Sequence, residues 1–447
     1  MPPMPLDRRA LLTGSAVAAI VPAAAAAAPP VHGFDAVQFG VRPGTPDDQT
    51  TRLQRAIDEA ARARRPLTLA AGQYRAGGLR LPNGAQIFGV RGATHLTLTH
   101  GPSLLSADGG EDITLSGLTI DGANLPLPPN RGLVHLAQVK RLRIADCAIA
   151  NAGGNAIALE SCDGIVESNT LADAADNSLF CNDSRGLVIR GNTLRGAGNG
   201  GIRVWQSAKR HDGSIVADNT IEDIGARAGG TGQNGNGVNV FRAASVIVRN
   251  NVIRRCAFSA VRGNAASGLQ ILGNTCGAIG EVALYAEFDF EGAVISANTV
   301  DGAALGVVCT NFNDGGRLAV VQGNLIRRLT PRRPQGGPDA AGVGIAVEAD
   351  ASVTGNVIED APSMGISVGA GKYMRDVSVT GNVVRRAGLG IGVSVAPGAG
   401  SAVVTGNLVA ECRGGIVGME WDKVASADLV RDAARYPQIT IASNRVR

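Results

Sequence analysis

The chain has 447 residues, of which 45% are apolar and 18% charged, with 61 glycines and a net charge of +4. This composition excludes a disordered chain, and the small charge without a long basic run argues against a nucleic-acid binder. The seven cysteines (147, 162, 181, 256, 276, 309 and 412) are too dispersed for a disulfide framework or a zinc cluster, and the five histidines show no metal-ligand spacing.

Residues 1–30 read as an export signal. Arg8 and Arg9 precede an apolar run to Val21, and an alanine tract ends at Ala28-Pro29-Pro30. The apolar centre is too short for a membrane anchor. Arg8-Arg9 beside Leu11-Leu12 resembles a twin-arginine signal. That resemblance implies export of a folded body to the periplasm or the exterior, with no membrane association once the signal is removed. The route also admits a bound cofactor.

Residues 31–90 form an N-terminal segment. Asp47 and Asp48 precede an amphipathic helix whose Leu53, Ala56, Ile57 and Ala60 share one face, and Leu67-Thr68-Leu69 follows as a first strand. The two aspartates read as caps of the helix N-terminus rather than as catalytic carboxylates. This arrangement resembles the start of the pectate lyase and polygalacturonase superfamily of right-handed parallel β-helices, in which a helix lids the open end of the core.

Residues 91–425 are repetitive. Ile113 to Gly122 reads as an early coil, followed by a proline-rich loop from Asn124 to Arg131. From Asn169 to Asn407 an asparagine recurs every 23 to 32 residues, usually as Gly-Asn, and each copy is trailed by a segment like Gly-Ile-x-Val. Alternation with a period of two puts Ile202 and Val204 on one side of a strand and Arg203 and Trp205 on the other. A repeat this short is stabilised only by its neighbours. The expected fold is all-β: a right-handed single-stranded parallel β-helix with an N-terminal capping helix, its coils stacked about 4.8 Å apart. The asparagines fit an inward ladder, with Cys147 holding the slot one turn before Asn169. Cys181 and Cys309 are expected inside and unpaired.

Two units are lengthened, by Gly225 to Asn236 and by Thr330 to Ala341, and such loops usually wall a functional face. Residues 426–447 supply a short helix, a stop at Tyr436-Pro437 and a last coil closing at Asn444. The paired-arginine signal and the repeats together resemble twin-arginine-exported repeat proteins of bacteria, which implies a fold and an address but no reaction.

Stacking the Gly-Ile-x-Val strands places their outward residues in two columns. The first runs Ala158, Phe180, Arg203, Asn239, Arg262, Tyr285, Val308, Ala346, Ser367, Gly392, Val417. The second runs Glu160, Asn182, Trp205, Phe241, Asn264, Glu287, Thr310, Glu348, Gly369, Ser394, Met419. Eight of the fifteen aromatics lie between Phe180 and Phe312, which marks a groove on the middle coils. Aromatic faces stack on sugar rings and arginine pairs with carboxylate, so the expected ligand is an acidic polysaccharide.

The substrate-binding candidates are Phe180, Asn182, Trp205, Asn239, Phe241 and Asn264. In a uronate lyase or C5-epimerase, Arg203 or Arg262 would neutralise the carboxylate, and Tyr285 or Arg262 would transfer a proton. Glu287 with Asn264 supplies oxygens that suit a bridging calcium; no other cofactor is assigned. A glycoside hydrolase would instead pair Glu287 with Asp289 or Asp183, and strand alternation puts Glu287 and Asp289 on one side, about 7 Å apart. A third alternative is a non-catalytic carbohydrate-binding or envelope-structural solenoid. The coils lack the Asn-Thr-Asp, Asp-Asp and Gly-His-Gly signatures of polygalacturonase-like hydrolases, the Asp-Pro-His of alginate epimerases and the tryptophan-histidine signatures of pectate lyases. No specific activity therefore carries over. The expected assembly is a monomer. Repeats before about residue 150 are less regular, so the column of His135 stays open.

Overall fold

The computed structural model describes residues 33–230, 232–310, 317–332 and 341–447. The expected export signal with Arg8 and Arg9 lies outside the described residues, as do Phe312 and part of the Thr330–Ala341 insertion. Gly33–Arg447 forms one compact unit.

A typical coil is built from three short strands, such as Val188–Arg190, Thr193–Arg195 and Gly200–His211. The first strands of successive coils stack into a parallel sheet of sixteen, from Phe34–Asp35 to Ile439–Ala442. The second and third strands stack likewise, with Thr193 beside Thr220 and Arg203 beside Asn239. Among the described strands the antiparallel exception is the hairpin of Gly414–Glu420 with Lys423–Ser426. The fold is a parallel β-solenoid, as the period-two repeats require.

Inward residues fill one continuous core in which Ile202, Val238, Val261 and Leu284 stack with none of their surface exposed. Each such side chain contributes roughly 1.5–3 kcal/mol of burial, which a single coil cannot collect alone. At one corner the asparagines form the expected ladder. Asn192 Nδ2 donates to Asn219 Oδ1 at 3.0 Å and to Val166 O at 2.9 Å, and its backbone N–H donates to the same Asn219 oxygen at 3.0 Å. Cys147 N–H donates to Asn169 Oδ1, and Asn407 Nδ2 donates to Asn444 Oδ1, which close the ladder at its two ends. The buried amides are therefore satisfied by their neighbours, which removes the cost of placing them inside.

The two recurrent glycines serve different needs. Gly191 precedes the ladder asparagine with φ of 63°, the left-handed region that glycine enters at least cost. Gly201, by contrast, lies at the start of the third strand, where a Cβ would collide with the Gly237 carbonyl and with Ile221, both on the next coil. Close packing demands that second glycine, rather than a turn.

Helix α1 (Thr50–Arg62) buries Leu53, Ala56, Ile57 and Ala60 against the first coils. Asp48 accepts the Thr50 N–H at 2.9 Å and the Thr99 hydroxyl at 2.6 Å, so it serves the helix start from one residue before the N-cap position, Gln49. At the other end α2 (Leu429–Asp432) buries Leu429, and Asp428 accepts the Val430 N–H. All seven cysteines are free, and six of them are buried. No described helix is long and apolar enough to cross a membrane.

Candidate functional site

The third strands carry the outward columns in the expected register. Ala158, Phe180, Arg203, Asn239, Arg262, Tyr285 and Val308 pair in sequence, and so do Glu160, Asn182, Trp205, Phe241, Asn264, Glu287 and Thr310. Facing away from the core does not expose them. Arg203 and Arg262 are each 7% exposed and Glu287 only 1%. The Gly225–Asn236 insertion folds over this face: Arg203 Nη2 donates to Asn234 Oδ1 at 2.6 Å, and Asn239 Nδ2 donates to Gly232 O at 3.0 Å. Burial lowers the Arg203 pKa, partly opposed by Asp176.

Arg262 and Glu287 form a two-point ion pair, and Asn264 Nδ2 donates to Glu287 Oε1 at 2.7 Å. Burial alone would pull the Arg262 pKa down, but the Glu287 bonds and charge reverse this and leave it raised. The expected roles therefore need correction. Arg262 already has its carboxylate and does not await a substrate's. Both Glu287 oxygens are taken, with a guanidinium beside them, which opposes a calcium site there; among the described residues no cluster of three His, Cys, Asp or Glu side chains is suited to a metal. Tyr285 lies under Arg262, 5.0 Å from ring centroid to guanidinium carbon, and burial pushes its pKa up to about 12, the wrong direction for a base.

The hydrolytic pair fails as well. Phe288 and Asp289 have φ of 46° and 42°, so the chain leaves the strand after Glu287 and the alternation ends. Asp289 is ion-paired with Lys209. Asp183 is held by Arg210 and accepts the Ser207 N–H and hydroxyl at 2.8 and 2.9 Å.

Of the binding candidates, Phe180, Asn182, Trp205, Phe241 and Asn264 keep partial exposure, whereas Asn239 is buried. Phe180 and Trp205 meet edge to face with centroids 5.7 Å apart, Trp205 and Phe241 lie tilted at 5.6 Å, and Trp205 Nε1 donates to Asn239 Oδ1 at 2.8 Å. Trp205 also lies against Arg203, 5.0 Å from centroid to guanidinium carbon.

Below this aromatic row the same face opens into two adjoining clefts, of about 410 Å³ and about 880 Å³, that share Arg131, His135 and Glu160. Register explains the convergence. His135 extends the first column, between Ser106 and Ala158, and Ala137 extends the second, between Asp108 and Glu160. Asp108 and Glu160 thus stand two rungs apart, about 10 Å along the stack, with His135 on the rung between. The proline-rich loop contributes Pro129, Asn130 and Arg131 to one wall, and α1 contributes Gln54 and Asp58 to another.

His135 is 6% exposed, and its Nδ1 has no hydrogen-bond partner among the described residues. Its pKa falls to about 4, first through burial and then through the Arg131 charge, with Asp108 pulling the other way. The imidazole is therefore neutral at neutral pH. Glu160 stands in the second column but not among the candidates named from sequence, and Asp108 lies two coils earlier, before the columns begin. The alternation His135-x-Ala137 beside a proline-rich loop was the available signal.

A family model described as the right-handed β-helix region matches residues 94–221 and 210–384. No curated protein matches the sequence. Among solved structures, the pre-mature bacteriophage phi29 gene product 12 is 13% identical with a TM-score of 0.55, covering 87% of this chain and 55% of its own. The catalytic unit of a thermostable GH87 α-1,3-glucanase from Streptomyces thermodiastaticus strain HF3-3 is 14% identical with a TM-score of 0.53, covering 89% of this chain and 71% of its own. The A-module of the Azotobacter vinelandii mannuronan C-5 epimerase AlgE6 is 20% identical, with 71% and 98% covered and a TM-score of 0.46. At these identities the likeness is one of fold.

Proposed function

The chain belongs to the right-handed β-helix family, and from that scaffold we propose that it acts on an acidic polysaccharide, as a uronate lyase or C5-epimerase, in the cleft around His135. The observation that carries the reading is the meeting of a neutral buried imidazole and the Arg131 guanidinium in one cleft. Abstraction of the C5 proton of a uronate needs a base in its neutral form and a cation that spreads the charge developing on the adjacent carboxylate. His135 supplies the first and Arg131 the second, with two-point geometry available to a guanidinium. Once the proton is removed, an acid must protonate the departing C4 oxygen in a lyase, or the opposite face of the ring in an epimerase. Asp108 and Glu160 flank His135 for that task. Phe180 and Trp205, at the far end of the smaller cleft, offer apolar surface for a neighbouring sugar. The reading includes export: the paired arginines support delivery to the periplasm or beyond, where such polymers are met.

Hydrolysis is the second reading, favoured by Asp108 and Glu160. A separation of about 10 Å between their backbones is compatible with carboxyl groups at the roughly 6.5–9.5 Å of an inverting glycosidase. The test is to incubate the mature protein with alginate, pectate and glycosaminoglycans, with and without calcium, while following the ultraviolet absorbance of an unsaturated uronate, the C5 configuration by proton NMR, and reducing ends. A rise in absorbance abolished by His135→Ala identifies a lyase, and a changed C5 configuration without chain cleavage identifies an epimerase. New reducing ends without unsaturation, lost in Glu160→Gln, would replace the proposal by hydrolysis. No change with any polymer would leave a binding solenoid.

A further inference from the structure

Beyond the Arg262–Glu287 pair the outer face changes character. On the late coils it holds another cleft, of about 530 Å³, walled by Met364, Leu389, Met419 and Trp421 with Gly371 and Gly392 in its floor. Met364 pairs with Leu389, and Ser394 with Met419, so these side chains come from adjacent rungs of the solenoid. A Cβ on Gly392 would collide with the Met364 sulfur and crowd Met419, which places both thioether chains over that glycine. Methionine walls are unbranched and adapt to the shape of what they contact.

Trp421 is the unusual member. It sits in the two-residue tip of the late hairpin, where Glu420 pairs with Lys423, and its φ is 57°. A bulky side chain is disfavoured there and glycine is at ease. Its ring lies against Gly371, where a Cβ would collide with it, and edge-on to Tyr373 with centroids 6.1 Å apart. The residue is nevertheless 56% exposed. The ring thus packs on Gly371 and Tyr373, and its remaining surface borders the cleft and water.

The polar groups of the lining are few and largely used. Ser394 Oγ donates to Gly371 O at 2.8 Å and Ser363 Oγ donates to Ala341 O, leaving Ser367 and Asp422 as the remaining polar side chains. Sugar recognition needs many aimed donors and acceptors, whereas this lining is carbon with a carboxylate beside it. We propose that the cleft binds a single acyl chain, the apolar part of an amphiphile, with Trp421 as its outer wall and the head group left in water near Asp422. The site lies on other coils than the His135 cleft and does not depend on the reading made there.

The test uses the full mature chain with N-phenylnaphthylamine as a fluorescent probe, dodecyl maltoside below its micelle-forming concentration as the acyl ligand, and maltose as the control. The expected result is that dodecyl maltoside displaces the probe and maltose does not. Trp421→Gly weakens dodecyl maltoside binding about tenfold through lost apolar contact, while its thermal midpoint stays level or rises because glycine relieves the left-handed backbone. Ser367→Leu, which adds a side chain on the outward column, blocks the probe. Equal competition by maltose would make this a saccharide site and overturn the proposal. Failure of dodecyl maltoside to displace the probe, or undiminished binding in a folded Trp421→Gly variant, would overturn it as well.

Discussion

Arg262 and Glu287, neighbours across one coil boundary, hold each other by two parallel hydrogen bonds, Nε to Oε1 at 2.7 Å and Nη2 to Oε2 at 2.8 Å. Each is less than a tenth exposed. The pair divides the outer face into a polar cleft on the early coils and an apolar one on the late coils, and it fills with protein the position at which a substrate carboxylate was expected.

Removing one partner strands the other. Glu287→Ala leaves a buried guanidinium with the longer Glu281 contact at 3.5 Å, and the expected loss is on the order of 3 kcal/mol in urea unfolding. Replacing both by Met and Leu should cost far less. A single Glu287→Ala variant that unfolds with its parent would show that the pair does not stabilise this face.

The ladder makes a second prediction. Asn274 Oδ1 accepts two donors from Asn251, and its Nδ2 donates to Val248 O and Asn298 Oδ1. Asn274→Ala orphans buried backbone groups on both sides, for a loss of about 3 kcal/mol by thermal or urea unfolding. The same change at half-buried Asn444, where the ladder ends, should cost about 1 kcal/mol. Equal losses at the two sites would contradict the ladder as the source.

For His135 the sign follows from burial. The folded-state pKa is depressed from 6.5 to about 4, so between those values the unfolded chain binds the proton and the folded chain does not. Stability contributed by neutral His135 is complete above pH 6.5 and declines as the pH falls toward 4. Stability measured across this window should drop more steeply in the parent than in His135→Phe. A parent curve no steeper than the variant's would refute the depressed pKa.

Arg131 adds a kinetic counterpart. Its charge is the second cause of the low His135 pKa, so Arg131→Gln should move the acid limb of any activity profile upward from about pH 4 while raising KM for a polyuronate. A KM change with an unmoved limb would separate substrate binding from tuning of the base.

The aromatic row can be weighed through binding alone. Trp205→Ala removes the contacts to Phe180 and Phe241 and should weaken glycan affinity by about 1 kcal/mol, several-fold in Kd. Calorimetry with a polymer that is not turned over reads this directly, and unaltered affinity would take the row out of the site.

Architecture and register were legible in the repeats alone. Arg203 meets Asn239, and Val308 meets Ala346, although an insertion separates the members of each pair. Glycine and asparagine turns return each coil to the same phase, so the length of an excursion does not shift the rungs. The ladder from Cys147 to Asn444 was legible for the same reason: it is a property of one repeated position. The fate of the outward side chains was not legible there and follows from the folded packing. Alternation tells which way Arg262 points, but not that Glu287 on the next coil closes on it or that the Gly225–Asn236 loop folds over Arg203. It also extends Glu287 to Asp289 on one side, whereas a left-handed turn ends the strand. The cleft around His135 was not legible because coils near it vary, and because its walls are made by α1 and the proline-rich loop, elements outside the repeat. Periodicity encodes neighbours along the stack; burial, charge pairing and cavity shape depend on segments whose path the period does not contain.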